Sequence, residues 1–150
     1  MKKRCPKKQT ITMYKALTGT PLIIPYIEDG IKAGFPSPAQ DHERKGIDLN
    51  EELIKHPAST FFAKVDGDSL LDSFIFKGDM AIVDKSLEPW EGCKVVACID
   101  GDFAMKIVGK VEKDCVYLLP DNPDYPFIKV TPDNDFKIWG VVTYTIHKQY

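Results

Sequence analysis

Ser69, Lys106 and the Ala33-Gly34 bond are the features of this chain whose types and order could do chemistry together. Ser69 stands in Gly67-Asp68-Ser69-Leu70-Leu71-Asp72, 36 residues after Ala33. Lys106 stands in Asp102-Phe103-Ala104-Met105-Lys106-Ile107-Val108, 37 residues after Ser69. A serine hydroxyl is a poor nucleophile at neutral pH and needs a base. A lysine is a base only when neutral, so its ordinary pKa of ~10.4 must fall by about three units, which disfavours the charge by roughly 4 kcal/mol. Burial without a counter-ion supplies a shift of that size. The neighbours of Lys106 suit it: Ala104, Met105, Ile107 and Val108 are apolar, and the nearest acid in sequence is Asp102. Ser69 follows a Gly-Asp turn, where a hydroxyl projects and backbone N–H groups can face an oxyanion. Nucleophile, base and a small-residue bond in a flexible arm together describe a protease that cuts itself. A tethered bond has a high effective concentration, so no pocket built for turnover is needed. Taken singly, each piece has a plainer reading: Gly-Asp-Ser is a common turn, and a lysine in an apolar strand ordinarily points to solvent. The combination carries the argument.

The elements that must position these residues are mostly strands. Residues 60–65, 80–84, 94–99, 103–108, 116–119 and 136–146 are rich in β-branched and aromatic side chains and are separated by turn residues. Asp100-Gly101 between two such runs is a strong hairpin signal. The long last run is expected to kink at Gly140. One helix is expected over residues 48–55, capped by Asp48 and ended by Pro57. Residues 1–33 read as an arm of short apolar pieces broken by Pro and Gly, and residues 34–46 as an exposed linker. The folded domain then spans residues 47–150. Short strands at regular spacing make it mostly β.

With 150 residues, 43% of them hydrophobic, the chain can bury a core. No apolar run is long enough to cross a membrane. The basic start is not followed by the apolar stretch of a signal peptide, so a cytoplasmic location is expected. Cys5, Cys93, Cys98 and Cys115 form no C-x-x-C pair, and His42, His56 and His147 show no metal-ligand spacing, so no metal or cofactor is expected. The net charge of −2 is uneven: residues 1–33 carry +5 and residues 34–150 carry −7. Such an arm could lie on its own acidic body or touch a polyanion such as nucleic acid.

The combination resembles the LexA/UmuD family of self-cleaving serine proteases, over nearly all of residues 33–146. The matching pieces are Ala33-Gly34-Phe35-Pro36-Ser37-Pro38-Ala39, Ile47-Asp48-Leu49-Asn50, His56-Pro57, Gly67-Asp68-Ser69, Gly78-Asp79 with Ile82-Val83-Asp84, Asp100-Gly101 with Phe103 and Lys106, and Gly140-Val141-Val142. Residues 34–57 look especially like the UmuD branch. The resemblance implies a protease and dimerisation domain of several small twisted sheets, with a short helix and an extended N-terminal arm. It implies Ser69 as nucleophile, its own N–H in the oxyanion hole, Lys106 as general base, and Ala33 and Gly34 flanking the cut bond. It also implies a homodimer, stimulation by a RecA–single-stranded-DNA filament, release of residues 1–33, and service to a Y-family polymerase subunit of the UmuC kind in SOS mutagenesis. Four features depart from the family pattern: Leu70 where methionine is common, the apolar run Ser73-Phe74-Ile75-Phe76-Lys77, a LexA-like Ala-Gly bond, and a long arm. Three alternatives stand beside this reading: a non-catalytic dimeric β-module that binds a polymerase or filament, a LexA- or phage-repressor-like regulator without its DNA-binding half, and, remotely, a signal peptidase.

Overall fold

The computed structural model describes residues 12–26 and 45–150. The Ala33-Gly34 bond and residues 34–44 of the expected linker lie outside them, while Lys45 and Gly46, expected as the linker's end, belong to a strand. The described chain runs β1 (Thr12–Lys15), β2 (Ile23–Tyr26), β3 (Lys45–Asp48), α1 (Leu49–Leu53), β4 (Thr60–Lys64), a 3-10 turn (Leu71–Ser73), β5 (Met80–Asp84), β6 (Lys94–Ile99), β7 (Asp102–Glu112), β8 (Cys115–Leu119), β9 (Ile128–Val130) and β10 (Phe136–Ile146). The protein is mostly β, as its alternating apolar runs predict.

Eight strands form one antiparallel sheet in the order β1-β4-β5-β10-β6-β7-β8-β9, and β2 pairs with β3 in a separate ribbon. The pieces of the large sheet turn relative to one another at irregularities. β10 shifts register between Ile138 and Gly140 against β6, and between Val142 and Tyr144 against β5. β7 shifts between Val108 and Val111 against β8. Such bulges bend a strand and increase its twist. Gly140 is where the expected kink falls, and the reason is space: a Cβ there would lie 2.7 Å from Val83 Cγ1 and 3.0 Å from the Asp84 carbonyl oxygen. The Asp100-Gly101 turn joins β6 to β7 with both residues at positive φ, 49° and 87°, the geometry a two-residue hairpin requires.

The centre of the sheet is buried on both faces, which explains the unbroken run Val95-Val96-Ala97. Val96 joins Ala63, Val65, Leu70, Ile75, Ala81, Val83 and Met105 in one cluster, while Val95 and Ala97 join Val108, Leu118, Val130 and Val141 in another. Alternate residues of β6 therefore feed opposite cores.

The first strands of the arm were not legible as strands. β1 pairs with β4 across a wide sequence gap, Thr12 opposite Lys64 through Lys15 opposite Phe61, and Ala16 is buried just past it. Asp48 caps α1 as expected, accepting from the Asn50 N–H at 2.9 Å, and the same oxygen accepts the Leu22 N–H at 3.0 Å. Ile54 is the buried residue of that helix's end.

Candidate active site

Ser69 reaches the sheet where one strand stops. The β7–β8 ladder ends at Ile107 opposite Leu119, because Pro120 follows and the chain turns away. That leaves residues 105 and 106 of β7 without a β8 partner. The Ser69 segment fills the gap: the Ser69 hydroxyl donates to the Met105 carbonyl at 3.4 Å, and the Asp121 N–H donates to the Ser69 carbonyl at 2.8 Å. Ser69 and Lys106 are both 4% exposed. The structure thus brings Ser69 to the backbone immediately before Lys106.

Lys106 does not point to solvent. Both Met105 and Lys106 are buried, so β7 is covered on both faces here. In the β6 ladder Lys106 lies opposite Val95, and its ammonium sits 5.4 Å from the centroid of the Tyr125 ring. Burial is the whole cause of its shift, and it pushes the pKa down to about 8. At pH 7 roughly a tenth of such lysines are neutral, against about one in three thousand for an exposed one. This is the direction a general base needs.

The Ser69 loop is clamped by a segment that the sequence marks only as a turn. Asn122 Nδ2 donates to the Asp68 carbonyl at 2.7 Å, the Tyr125 hydroxyl donates to the Asp68 carboxylate, and the Ser73 hydroxyl donates to the Asp121 carboxylate. The Asp121 carbonyl accepts the Asp72 N–H at 2.9 Å. Residues 121–125 therefore hold Asp68 to Ser73 from one side. The bond to Asp68 also raises the Tyr125 pKa. The signal available in the sequence was only Pro120-Asp121-Asn122-Pro123.

Beside Ser69 lies a small cleft of about 20 Å³, lined by Val65, Asp66, Gly67, Leu70, Ile75 and Met105. It has room for about one water-sized group. Leu70 and Ile75 also belong to the core, so the apolar run after Ser69 is partly explained by packing. Phe76 packs against His147 with tilted rings whose centroids are 4.9 Å apart, while Phe74 is exposed at φ 58°.

Two carboxylates matched by the resemblance, Asp84 and Asp79, have structural work. Asp84 accepts from Ser59 (3.0 Å), from Ser86 N–H (2.8 Å) and Oγ (2.6 Å), and pairs with His56 at 2.5 Å. Asp79 pairs with His147 at 2.5 Å and accepts the Phe76 N–H at 2.9 Å. Cys93, Cys98 and Cys115 are free thiols.

Comparison with known proteins places the chain in a family. A family model described as Peptidase S24-like matches residues 25–143. Protein MucA of Salmonella typhimurium is 42% identical over 124 residues, 82% of this chain and 84% of that protein. Protein SamA of Salmonella typhimurium strain LT2 is 40% identical over 83% of this chain and 85% of its own length. The LexA repressor of Stenotrophomonas maltophilia is 45% identical over 74% of this chain but only 52% of the repressor.

Proposed function

Because the chain belongs to the Peptidase S24-like family, we propose that it is a self-cleaving serine peptidase that cuts between Ala33 and Gly34 and acts in SOS mutagenesis in the manner of UmuD. The observation that carries this reading is Lys106, a buried lysine with its pKa near 8, next to the residue whose carbonyl receives the Ser69 hydroxyl.

In the proposed reaction the Ser69 hydroxyl turns from the Met105 carbonyl to neutral Lys106, which takes its proton as Oγ attacks the Ala33 carbonyl carbon. An oxyanion forms, and backbone N–H groups near Ser69 stabilise it. Collapse breaks the C–N bond. Lys106 returns the proton to the Gly34 nitrogen, leaving residues 1–33 as an ester on Ser69. Water, deprotonated by the same lysine, then hydrolyses the ester and restores Ser69. No cofactor enters. At pH 7 only the neutral fraction of Lys106, about a tenth, can start the reaction.

The role in SOS mutagenesis rests on the family resemblance and on the similarity to MucA and SamA over most of each chain. That reading includes a homodimer, a RecA–single-stranded-DNA filament as stimulus, and a Y-family polymerase subunit as the partner of the trimmed product, residues 34–150. A cytoplasmic site suits it. Among the described residues no helix is long and apolar enough to cross a membrane.

Intact mass after incubation at pH ~7 and pH ~10, bracketing the lysine range, tests the chemistry. Scission after Ala33 that accelerates with pH and is absent from Ser69→Ala is the expected result. No scission at either pH, even with a RecA filament present, would replace this reading with that of a non-catalytic binding module.

A further inference from the structure

Residues 33 and 34 fall in the connection between β2 and β3. Those strands are paired at its mouth: Tyr26 lies opposite Lys45, Pro25 opposite Gly46, Ile24 opposite Ile47 and Ile23 opposite Asp48. A cut in a hairpin's loop leaves the ladder beneath it intact. Three further bonds tie the arm to α1 and its cap: Leu22 N–H to Asp48, Asn50 Nδ2 to the Thr20 carbonyl at 2.8 Å, and Leu49 N–H to the Leu22 carbonyl at 2.9 Å. Gly46 is shaped for this contact, since a Cβ there would meet the Ile23 Cγ2 methyl at 2.8 Å.

The arm is held at a second place. β1 forms the edge of the large sheet on β4, and the Ala16 N–H donates to the Thr60 carbonyl at 3.3 Å. Met13 packs on the cluster containing Val65, Leu70, Ile75 and Met105, which also line the cleft beside Ser69. Two weak attachments on one peptide bind far better together than either alone. Charge acts in the same direction, +5 on residues 1–33 and −7 on residues 34–150.

We infer that the body carries a peptide-binding site, formed by the outer edge of β4 and by β3 with α1, whose occupant is the chain's own residues 12–26, and that this site keeps the 1–33 fragment bound after the chain is cut. Scission and separation are then two steps. The cut product is first a nicked complex, and the Phe61–Lys64 edge of β4 is bared only when the fragment leaves. A bared strand edge pairs readily with other extended chains, so the fragment masks the product until it departs. Cutting removes the covalent tether, which makes the pairing dilution-sensitive; it does not remove the pairing.

This inference rests on the proposed cut at Ala33-Gly34, so the test makes the cut in two ways. Wild-type protein cuts itself at alkaline pH. A Ser69→Ala chain, with residues 31–36 replaced by a recognition sequence for an added site-specific protease, is cut from outside. Each product is examined by native and by denaturing mass spectrometry. The expected result is one native mass containing both pieces and two denatured masses. Salt should speed dissociation, because the arm and body are oppositely charged. Ala16→Asp, which buries a carboxylate, should speed it roughly tenfold or more. Gly46→Val, acting at the other attachment, should also speed it. A fragment that separates as fast as either cut forms would overturn the inference, and so would dissociation rates unmoved by both substitutions. If the wild type fails to cut while the externally cut Ser69→Ala chain retains its fragment, the self-cleavage reading fails and the binding site stands.

Discussion

Lys106 and Asp84 are buried to nearly the same degree, at 4% and 3% exposure, and they are treated in opposite ways. Burial pushes Asp84 up as it pushes Lys106 down, since both effects disfavour the charged form. At Asp84 the hydrogen bonds from Ser86, His56 and Ser59 outweigh burial and hold the carboxyl at about 2. At Lys106 no hydrogen bond or opposite charge offsets burial, only the Tyr125 ring at 5.4 Å faces the ammonium, and the pKa settles at about 8. The end of β5 is therefore a place where a buried charge is fully answered, and it fastens the 56–59 loop to the sheet. The end of the β7–β8 ladder is a place where the charge is left unanswered. Burial alone does not mark a candidate reactive group; burial without an answering charge or hydrogen bond does.

The sharpest way to break the contrast is to remove the unanswered side. Ser69→Ala and Lys106→Ala are each expected to reduce self-cleavage by at least ~10³-fold while the fold persists, because no second nucleophile or base takes their place. Cleavage by Lys106→Ala at the wild-type rate would remove Lys106 from the mechanism. The pH dependence separates the two sites further. The wild-type cleavage rate should rise about tenfold per pH unit below pH ~8 and level off above it, following the neutral fraction of Lys106. Folding stability should move the same way. Below about pH 8 the folded state bears the cost of a protonated Lys106. Between there and the ordinary lysine pKa of 10.5, the folded chain gives up a proton that the unfolded chain keeps, so stability rises with pH. Lys106→Met should abolish this rise and be more stable than wild type at pH 7, as read from denaturant midpoints.

The same contrast shows what the sequence could reveal. The strands β4 to β8 and β10, the Asp100-Gly101 hairpin and the Gly140 kink follow from local patterning, and so did the singling out of Ser69 and Lys106. The burial of Lys106 was expected from its apolar neighbours and from the chemistry, not from the period of the strand. Alternation with Met105 and Ile107 suggests an exposed face, and only the 121–125 loop and the doubly covered sheet make both faces interior. The roles of Asp121, Asn122 and Tyr125 were hidden for the same reason: they act on Asp68 and Ser69 from about fifty residues away in sequence. β1 and β2 were missed because strands of four residues, the second interrupted by Pro25, are too short to show a period of their own. Their partners β4 and β3 supply the order.

Asp84→Ala breaks the comparison from the other side. It leaves the Ser59 and Ser86 hydroxyls and His56 without their common acceptor, and a loss of about 3 kcal/mol is expected in chemical denaturation. Cleavage by the folded fraction should stay near the wild-type rate, since Asp84 is not part of the proposed chemistry. The depressed carboxyl also sets an acid limit. Its contribution is complete above the ordinary value of 3.8 and is lost as pH falls toward about 2. An acid titration of wild type should therefore show a loss of stability in that window, which Asp84→Ala lacks.

The smallest effect concerns the strain kept near Ser69. Phe74 is non-glycine at φ 58°, and the residue is 79% exposed. Its N–H bonds to the Leu71 carbonyl at 2.9 Å and closes the 3-10 turn that follows Ser69. A bulky side chain in the left-handed region costs of order 1 kcal/mol, and a solvent-exposed ring recovers little of it by packing. Phe74→Gly should relieve that cost but add unfolded-state entropy, leaving a net gain of up to ~0.5 kcal/mol. Phe74→Asn, which tolerates this conformation without glycine's entropy, should gain about as much or more. A stabilised chain that cleaves more slowly would place the strain in the service of the reaction. A stabilised chain that cleaves at the wild-type rate would confine the contrast between the two buried sites to Lys106 itself.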